Sequence, residues 1–410
     1  MPASWIKTPV RDITIRITKG TTPTTGGGSF AESGVAFIKV ESISEAGNIL
    51  PEKLAYIDEA THQVLSRSII AKDDVLFTIA GTIGRTALIR EEHLPANTNQ
   101  AVAIVRPDQQ KVLPSFLYYA LSDRNKTRQA ESRTVQSVQA NFSLGELGAL
   151  EVELPSFSEQ QEIASILGAL DDKIEINRRM NGTLEALAQA VFKEWFVEKA
   201  EEGWEEKTIG DLAEVVGGAT PSTKHEAFWA AQGHAWATPK DLSSLQTPVL
   251  LDTERHLTDE GLAEIGSGLL PTGTVLMSSR APIGYIAIAE VPTAVNQGFI
   301  ALKAKPEVSN LFLWQWTKQN MDEIKSRANG STFQEISKAS FRPIAVAVPP
   351  PHKMEAYDTL VRPMYERLVA NERETRTLTA LRDTLLPKLM RGEVRVEKPA
   401  MTKQTNTIEP

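Results

Sequence analysis

The sequence predicts a mixed α/β protein of the α+β kind that is built twice. Two similar globular domains are each followed by a long heptad helix, and the two helices pair antiparallel as a coiled coil about a pseudo-two-fold axis. Three observations carry this reading. Short stretches recur in one unbroken order in the two halves of the 410 residues. The stretch behind each domain spaces its apolar residues in alternating steps of four and three, the heptad pattern. Those two stretches superpose at a fixed offset of 194 residues.

The repeat opens at Trp5, where WIKTPVRDITIRITKGTTP aligns with WEEKTIGDLAEVVGGATP from Trp204; Trp, Asp12 and Asp211, an aliphatic residue, Gly and Thr-Pro fall in the same order. VAFIKVESI from Val35 aligns with HAWATPKDL from His234, and VLFTIAGTIGR from Val75 with VLMSSRAPIGY from Val275. Asn99-Gln100 answers Asn296-Gln297, and SFLYYAL from Ser115 answers NLFLWQW from Asn310. VQANFSLGELGALEVELPSFSEQQEI from Val138 then matches FQEISKASFRPIAVAVPPPHKMEAY from Phe333, each passing through a β-type run into proline and a helical pattern. Self-similarity of this length marks a duplicated unit.

Residues 1–155 and 201–348 form the two domains. Their short Val, Ile and Thr-rich runs, broken by Gly, Pro and Asn, read as small strands and turns with a few helices. Each is long enough to bury a core of its own. Residues 156–200 and 349–392 form the helices, and 393–410 a flexible tail. Ser158 with Gln161 reads as a capping box for the first helix. Its seam is Ile163, Leu167, Leu170, Ile174, Asn177, Asn181, Leu184, Ala188, Val191 and Trp195. The second seam is Tyr357, Val361, Met364, Leu368, Asn371, Thr375, Leu378, Arg382, Leu385 and Leu389, where Arg382 departs from the pattern set by Ala188. Helices of this length run to about 60 Å at ~1.5 Å per residue. An apolar stripe so long needs a partner, and the other copy is the simplest one. Asn177 and Asn371 fall mid-seam, where a buried Asn fixes register at some cost in stability. Gly168, Gly182 and Pro363 are expected to weaken or bend the helices.

Composition excludes several classes. There is no cysteine, so neither disulfides nor thiolate chemistry arise. No apolar run approaches the ~18 residues of a membrane span, and MPASWIKTPV lacks a signal-peptide core. A cytoplasmic protein without membrane contact is expected. The net charge of −8, from 52 acidic and 44 basic residues, weighs against nucleic acid only as an average over all faces. No phosphate-loop, zinc or nucleophile-elbow motif is present. The glycine-rich 20–28 stretch reads as a mobile loop, and His225 and His234 as surface or core residues. Asp73-Asp74 and Asp171-Asp172 read as solvated faces. No catalytic residue, metal site or cofactor is expected.

Two α/β domains alternating with two heptad helices resemble the specificity subunit of Type I restriction-modification systems. LPSFSEQQEI is similar to the start of that family's first conserved helix, LLPKLMRGEV (385–394) to the end of the second, and GSTFQEISKASFRPIAVAVPP (330–350) to the last loop and strand of a target recognition domain. The likeness covers the chain to about residue 397. It departs at RTVQSVQANF, where Val135 stands opposite Gly330, and at KMEA, which replaces the EQ pair. The resemblance implies a non-catalytic subunit whose two recognition domains each read half of an asymmetric, bipartite double-stranded DNA site. The helices would set the gap and dock two adenine-N6 methyltransferase subunits, and two motor-nuclease subunits would complete a restricting assembly. Two other functions fit the pattern: a specificity subunit of a related methylation-based or Type II-like system, and a protein-interaction adaptor that binds no DNA.

Base-reading side chains should come from basic loops, because Arg and Lys suit guanine and Asn and Gln suit adenine. The first copy offers Arg124, Lys126, Arg128, Arg133, Gln136, Ser137 and Gln139; the second offers Lys325, Arg327, Asn329, Ser331, Thr332 and Gln334. A second pair of loops sets Thr82 and Arg85 against Ser279, Arg280 and Tyr285. Lys19, Lys39, Lys224 and Lys240 suit phosphates.

Overall fold

The computed structural model describes residues 5–123, 126, 142–330 and 334–395. Four helices organise it: α1 Pro114–Ser122, α2 Phe157–Lys193, α3 Asn310–Gln319 and α4 Pro351–Met390. The chain divides into two compact units, 1–172 with 378–410 and 173–377. The sequence reading set the helices apart as a separate spacer; instead the division falls inside both long helices, so each unit combines one domain with stretches of α2 and α4.

In the first unit, strands Thr14–Lys19, Val102–Pro107, Val75–Thr78 and Thr86–Leu88 pair antiparallel in that order. The middle strand Val75–Thr78 is buried throughout and reads as a continuous apolar run for that reason. A second sheet runs Phe30–Ala31, Ala55–Ile57, Val35–Ile38, Ala96–Thr98, with Val35–Ile38 and Ala96–Thr98 parallel. Ile6–Pro9 pairs with Glu151–Leu154, tying the start of the domain to its end.

The second unit repeats this topology. Ala213–Val216, Phe299–Ala304, Val275–Ser279 and Ile283–Ala289 make its antiparallel sheet. Trp229–Ala230, Arg255–Leu257, His234–Ala237 and Thr293–Val295 make its second sheet, again with one parallel pair. Glu205–Thr208 pairs with Ala345–Val348. The four strands named in each sheet correspond in order, so the duplication seen in sequence is a duplication of fold; Ile69–Ile70 adds an edge strand to the first unit's second sheet, and Val249–Leu250 a parallel edge strand to the second unit's first.

The start of α2 differs from the expected cap. The capping box is Ser156 with Glu159, whose carboxylate accepts from the Ser156 backbone N–H at 3.1 Å and from its hydroxyl at 2.8 Å. Ser158 lies inside the helix. Pro155 holds the preceding chain extended, which leaves Ser156 as the first residue free to cap. Both long helices run unbroken through Gly168, Gly182 and Pro363.

Within each unit the helices pack along the heptad seam. In the first unit Ile163 and Leu167 join Leu389 and Met390 in the domain's core, with Leu385 against it; Leu170 is half-buried. In the second, Tyr357, Val361 and Leu368 are buried, Leu184 and Val191 pack against them, and Met364 is half-buried. Ile174 is buried, and Leu378 is half-buried. The direction is antiparallel within the second unit: Asn177 meets Asn371, and the ring of Phe192 meets that of Tyr357 at 6.1 Å. Among the described residues no helix is long and apolar enough to cross a membrane.

Candidate nucleic-acid interface

In both domains a strand of the antiparallel sheet runs into one of the candidate loops, at residues 80–85 and at 280–282. In the second unit, backbone bridges join Arg280 to Glu335 and Asn329 to Glu335. The two loops singled out from the sequence, after residue 279 and at 325–334, therefore meet. The Ile336 N–H donates to the Ser279 carbonyl at 3.0 Å, as the Phe142 N–H donates to the Ile79 carbonyl at 2.8 Å in the first unit. Residues 80–85 thus begin next to the contact that Phe142 makes with Ile79.

The individual side chains divide by environment. Lys19, Thr82, Lys224, Lys325, Asn329 and Gln334 are exposed. Arg280 lies 3.6 Å from Glu335, and Arg327 lies 2.7 Å from Glu323. Lys39 pairs with Glu41 at 2.7 Å, Lys126 lies 3.6 Å from Glu153, and Lys240 pairs with Glu254 at 2.6 Å. The Lys39 ammonium lowers the pKa of Glu41 by hydrogen bonding to it. Arg124, Arg128, Arg133, Gln136, Ser137, Gln139, Ser331 and Thr332 lie outside the described residues.

Three candidates need correction. Ser279 is only 3% exposed and belongs to the sheet rather than a loop. Tyr285 packs against the apolar cluster of Leu242, Leu250 and Leu276, so its ring serves the core. Arg85 turns inward: its guanidinium donates to the Ile43 carbonyl at 2.9 Å and lies 3.8 Å from Glu45. Ser279 ends one strand, Tyr285 lies inside the next and Arg85 just precedes a third, and sequence alone does not say on which side of such a boundary a residue falls.

The glycine-rich 20–28 stretch is also more ordered than expected. Pro23–Thr25 form a 3-10 turn, and the N–H groups of Gly26 and Gly28 both donate to the Pro23 carbonyl, at 3.0 and 2.8 Å. The Thr22 hydroxyl donates to Oε1 of Gln100. The second unit has the same contact, Thr220 hydroxyl to Gln297 Oε1. Sequence reading used Asn99-Gln100 and Asn296-Gln297 only as marks of the repeat. The signal available was their recurrence together with Gly-x-Thr-Pro. Lys338 was missed as well: it is exposed, and a Cβ at Gly217 would lie 3.2 Å from its Nζ.

The family model for the Type I restriction modification DNA specificity domain matches residues 9–186 and again 201–358. The MjaIX specificity subunit of Methanocaldococcus jannaschii, a Type I restriction enzyme subunit, is 34% identical over 185 residues, which are 45% of this chain and 42% of that one. The HindI specificity subunit of Haemophilus influenzae is 24% identical over 85% of this chain and 93% of its own. The solved S subunit of a Type I restriction-modification system from M. genitalium shares the fold, with a TM-score of 0.60 at 18% identity over 97% of this chain and 98% of that one.

Proposed function

The chain belongs to the Type I restriction modification DNA specificity family, and from that premise we propose that it is the DNA-reading subunit of a Type I restriction-modification complex. Each domain reads one half of a two-part double-stranded site, and the helix pair sets the gap between the halves. The supporting observation is the repeated topology, in which Phe142 bonds Ile79 in the first domain as Ile336 bonds Ser279 in the second. Two unlike readers on one chain bind two unlike half-sites, and engaging one half raises the effective concentration of the other. The negative total charge is compatible with this, since DNA responds to the local field of one face.

The helix pair also docks two methyltransferase subunits, and motor-nuclease subunits complete the assembly in the cytoplasm. An exposed leucine at the equivalent helix position in each unit supports this. Lys173 and Glu374 form an ion pair at 3.0 Å across the helices. Two heptads along each helix from that pair stand Leu187 and Leu360, 47% and 41% exposed. Their equivalents in the first unit are Leu381, 46% exposed, and the half-buried Ile166. The same exposed leucine position, Leu187 and Leu381, presented twice suits two copies of one partner.

The reading is tested by mapping N6-methyladenine in a host carrying this chain with its methyltransferase. A split, asymmetric motif is expected, and it must vanish when the chain is deleted. Methylation that persists without the chain overturns the proposal.

A further inference from the structure

We propose that Gln100 and Gln297 are equivalent contacts to the DNA sugar-phosphate backbone, one in each recognition domain, each oriented by a threonine hydroxyl. This rests on the DNA-reading function above and adds residues that carry affinity rather than sequence choice.

The geometry of the two sites is the same. A Cβ at Gly20 would lie 1.9 Å from the Thr98 carbonyl oxygen, and one at Gly218 would lie 1.6 Å from that of Val295. Only glycine allows the loop to press so closely on the strand. The next N–H in each loop, of Thr21 and of Ala219, donates to that same carbonyl at 3.1 Å. Asn99 Oδ1 accepts from the Ala101 N–H at 3.1 Å, and Asn296 Oδ1 from the Gly298 N–H at 2.8 Å, which fixes the turn that carries each glutamine. The glycines and asparagines therefore have interior reasons to recur.

The Thr–Gln contact has no such reason. Gln100 and Gln297 are exposed, and an exposed side-chain hydrogen bond that water can replace adds little stability. With Oε1 turned to the threonine, the amide NH2 is left as a donor facing solvent. A neutral donor of this kind suits a phosphate oxygen. Each clamp has a cation close by in the chain or in space: Lys19 immediately precedes Gly20 in sequence, and the Lys338 ammonium lies beside Gly217, which immediately precedes Gly218. In the second unit the clamp adjoins the reading loops, since a Cβ at Gly298 would lie 3.6 Å from Arg280 Nε. A group that is the same in two domains reading different sequences cannot carry their difference. It serves what both half-sites share, the phosphodiester backbone.

The test uses the full chain and two duplexes, one carrying its mapped methylation motif and one of scrambled sequence. Gln100→Glu and Gln297→Glu keep an acceptor for the threonine but replace the donor with a negative charge. Gln100→Lys and Gln297→Lys give up the acceptor and present a cation. The Glu variants should lose affinity by about tenfold for both duplexes, a loss that shrinks as salt rises. The Lys variants should bind at least as tightly as the parent, and the methylated motif should stay the same in all of them. Equal losses in Glu and Lys variants would mark a purely structural clamp and overturn the inference. So would unchanged binding by the Glu variants, or a preference altered at one base position. A parent chain that fails to prefer the motif duplex would instead overturn the DNA-reading function itself.

Discussion

Asn177 and Asn371, equivalent residues 194 positions apart, meet each other in the second unit: the Asn177 amide lies 3.5 Å from the Asn371 carbonyl. Around them Asn177 Nδ2 donates to Glu374 at 2.9 Å, Lys173 donates to Asn177 Oδ1 at 3.2 Å, and Asn371 Nδ2 donates to Asn181 at 2.9 Å. Asn177, Asn181 and Asn371 are 0%, 2% and 1% exposed, so a polar box interrupts the apolar seam within the second unit. Any slip of one helix along the other would bury these amides against apolar neighbours without partners.

Replacing Asn177 alone with Leu removes the buried amide's hydrogen bonds to Glu374 and to the Asn371 main-chain carbonyl and should lower stability by about 1–3 kcal/mol. Replacing Asn177 and Asn371 together should raise the melting temperature but loosen register, as polar seam residues in coiled coils trade stability for uniqueness. Thermal melts and native mass spectrometry check both. A double variant that is less stable than either single one would contradict this account.

Arg382 occupies the seam position where the other repeat has Ala188. It donates to Asp171 at 2.9 Å and to Asp383 at 2.7 Å, and the Tyr119 hydroxyl donates to the second oxygen of Asp171 at 2.7 Å. Side-chain exposures of 15% and 20% place Arg382 and Asp171 largely out of water. Arg382→Ala should cost about 2–4 kcal/mol, because it leaves a mostly buried carboxylate unpaired. Asp171→Ala with Arg382→Ala should cost less than the two single effects combined, as read from urea unfolding.

Burial pushes the Tyr118 phenol up to about 12, with the Asp171 charge adding to the effect. Its folded-state pKa then exceeds the unfolded value near 10. The stability it contributes is complete below that value and is lost as pH rises through about 12. Tyr118→Phe should therefore flatten the fall in melting temperature over that range. An unchanged alkaline limb in a pH series of melts would rule Tyr118 out as its source.

Leu187→Glu and Leu381→Glu change outward positions that are 47% and 46% exposed, so folding should be little affected. Each should weaken retention of the methyltransferase subunit, and the pair should abolish it, in co-purification from the native host. Full retention by the double variant would place the docking surface elsewhere.

The duplication, the heptad seam and its polar centre were legible in the residues alone. Repeat order and a period of three and a half residues are properties of neighbouring positions, and any helix made from them must present the same stripe. What each exposed or polar residue does was decided by the tertiary structure. Ser279 and Tyr285 lie within strands, Ser279 buried and Tyr285 packed on the core. Arg85 turned toward Ile43, and Arg382 was accommodated by Asp171, a residue 211 positions away. The Thr22–Gln100 and Thr220–Gln297 clamps join residues 78 and 77 positions apart. Such partners are chosen by how strands and loops are brought together in space, and spacing along one chain holds no record of that choice.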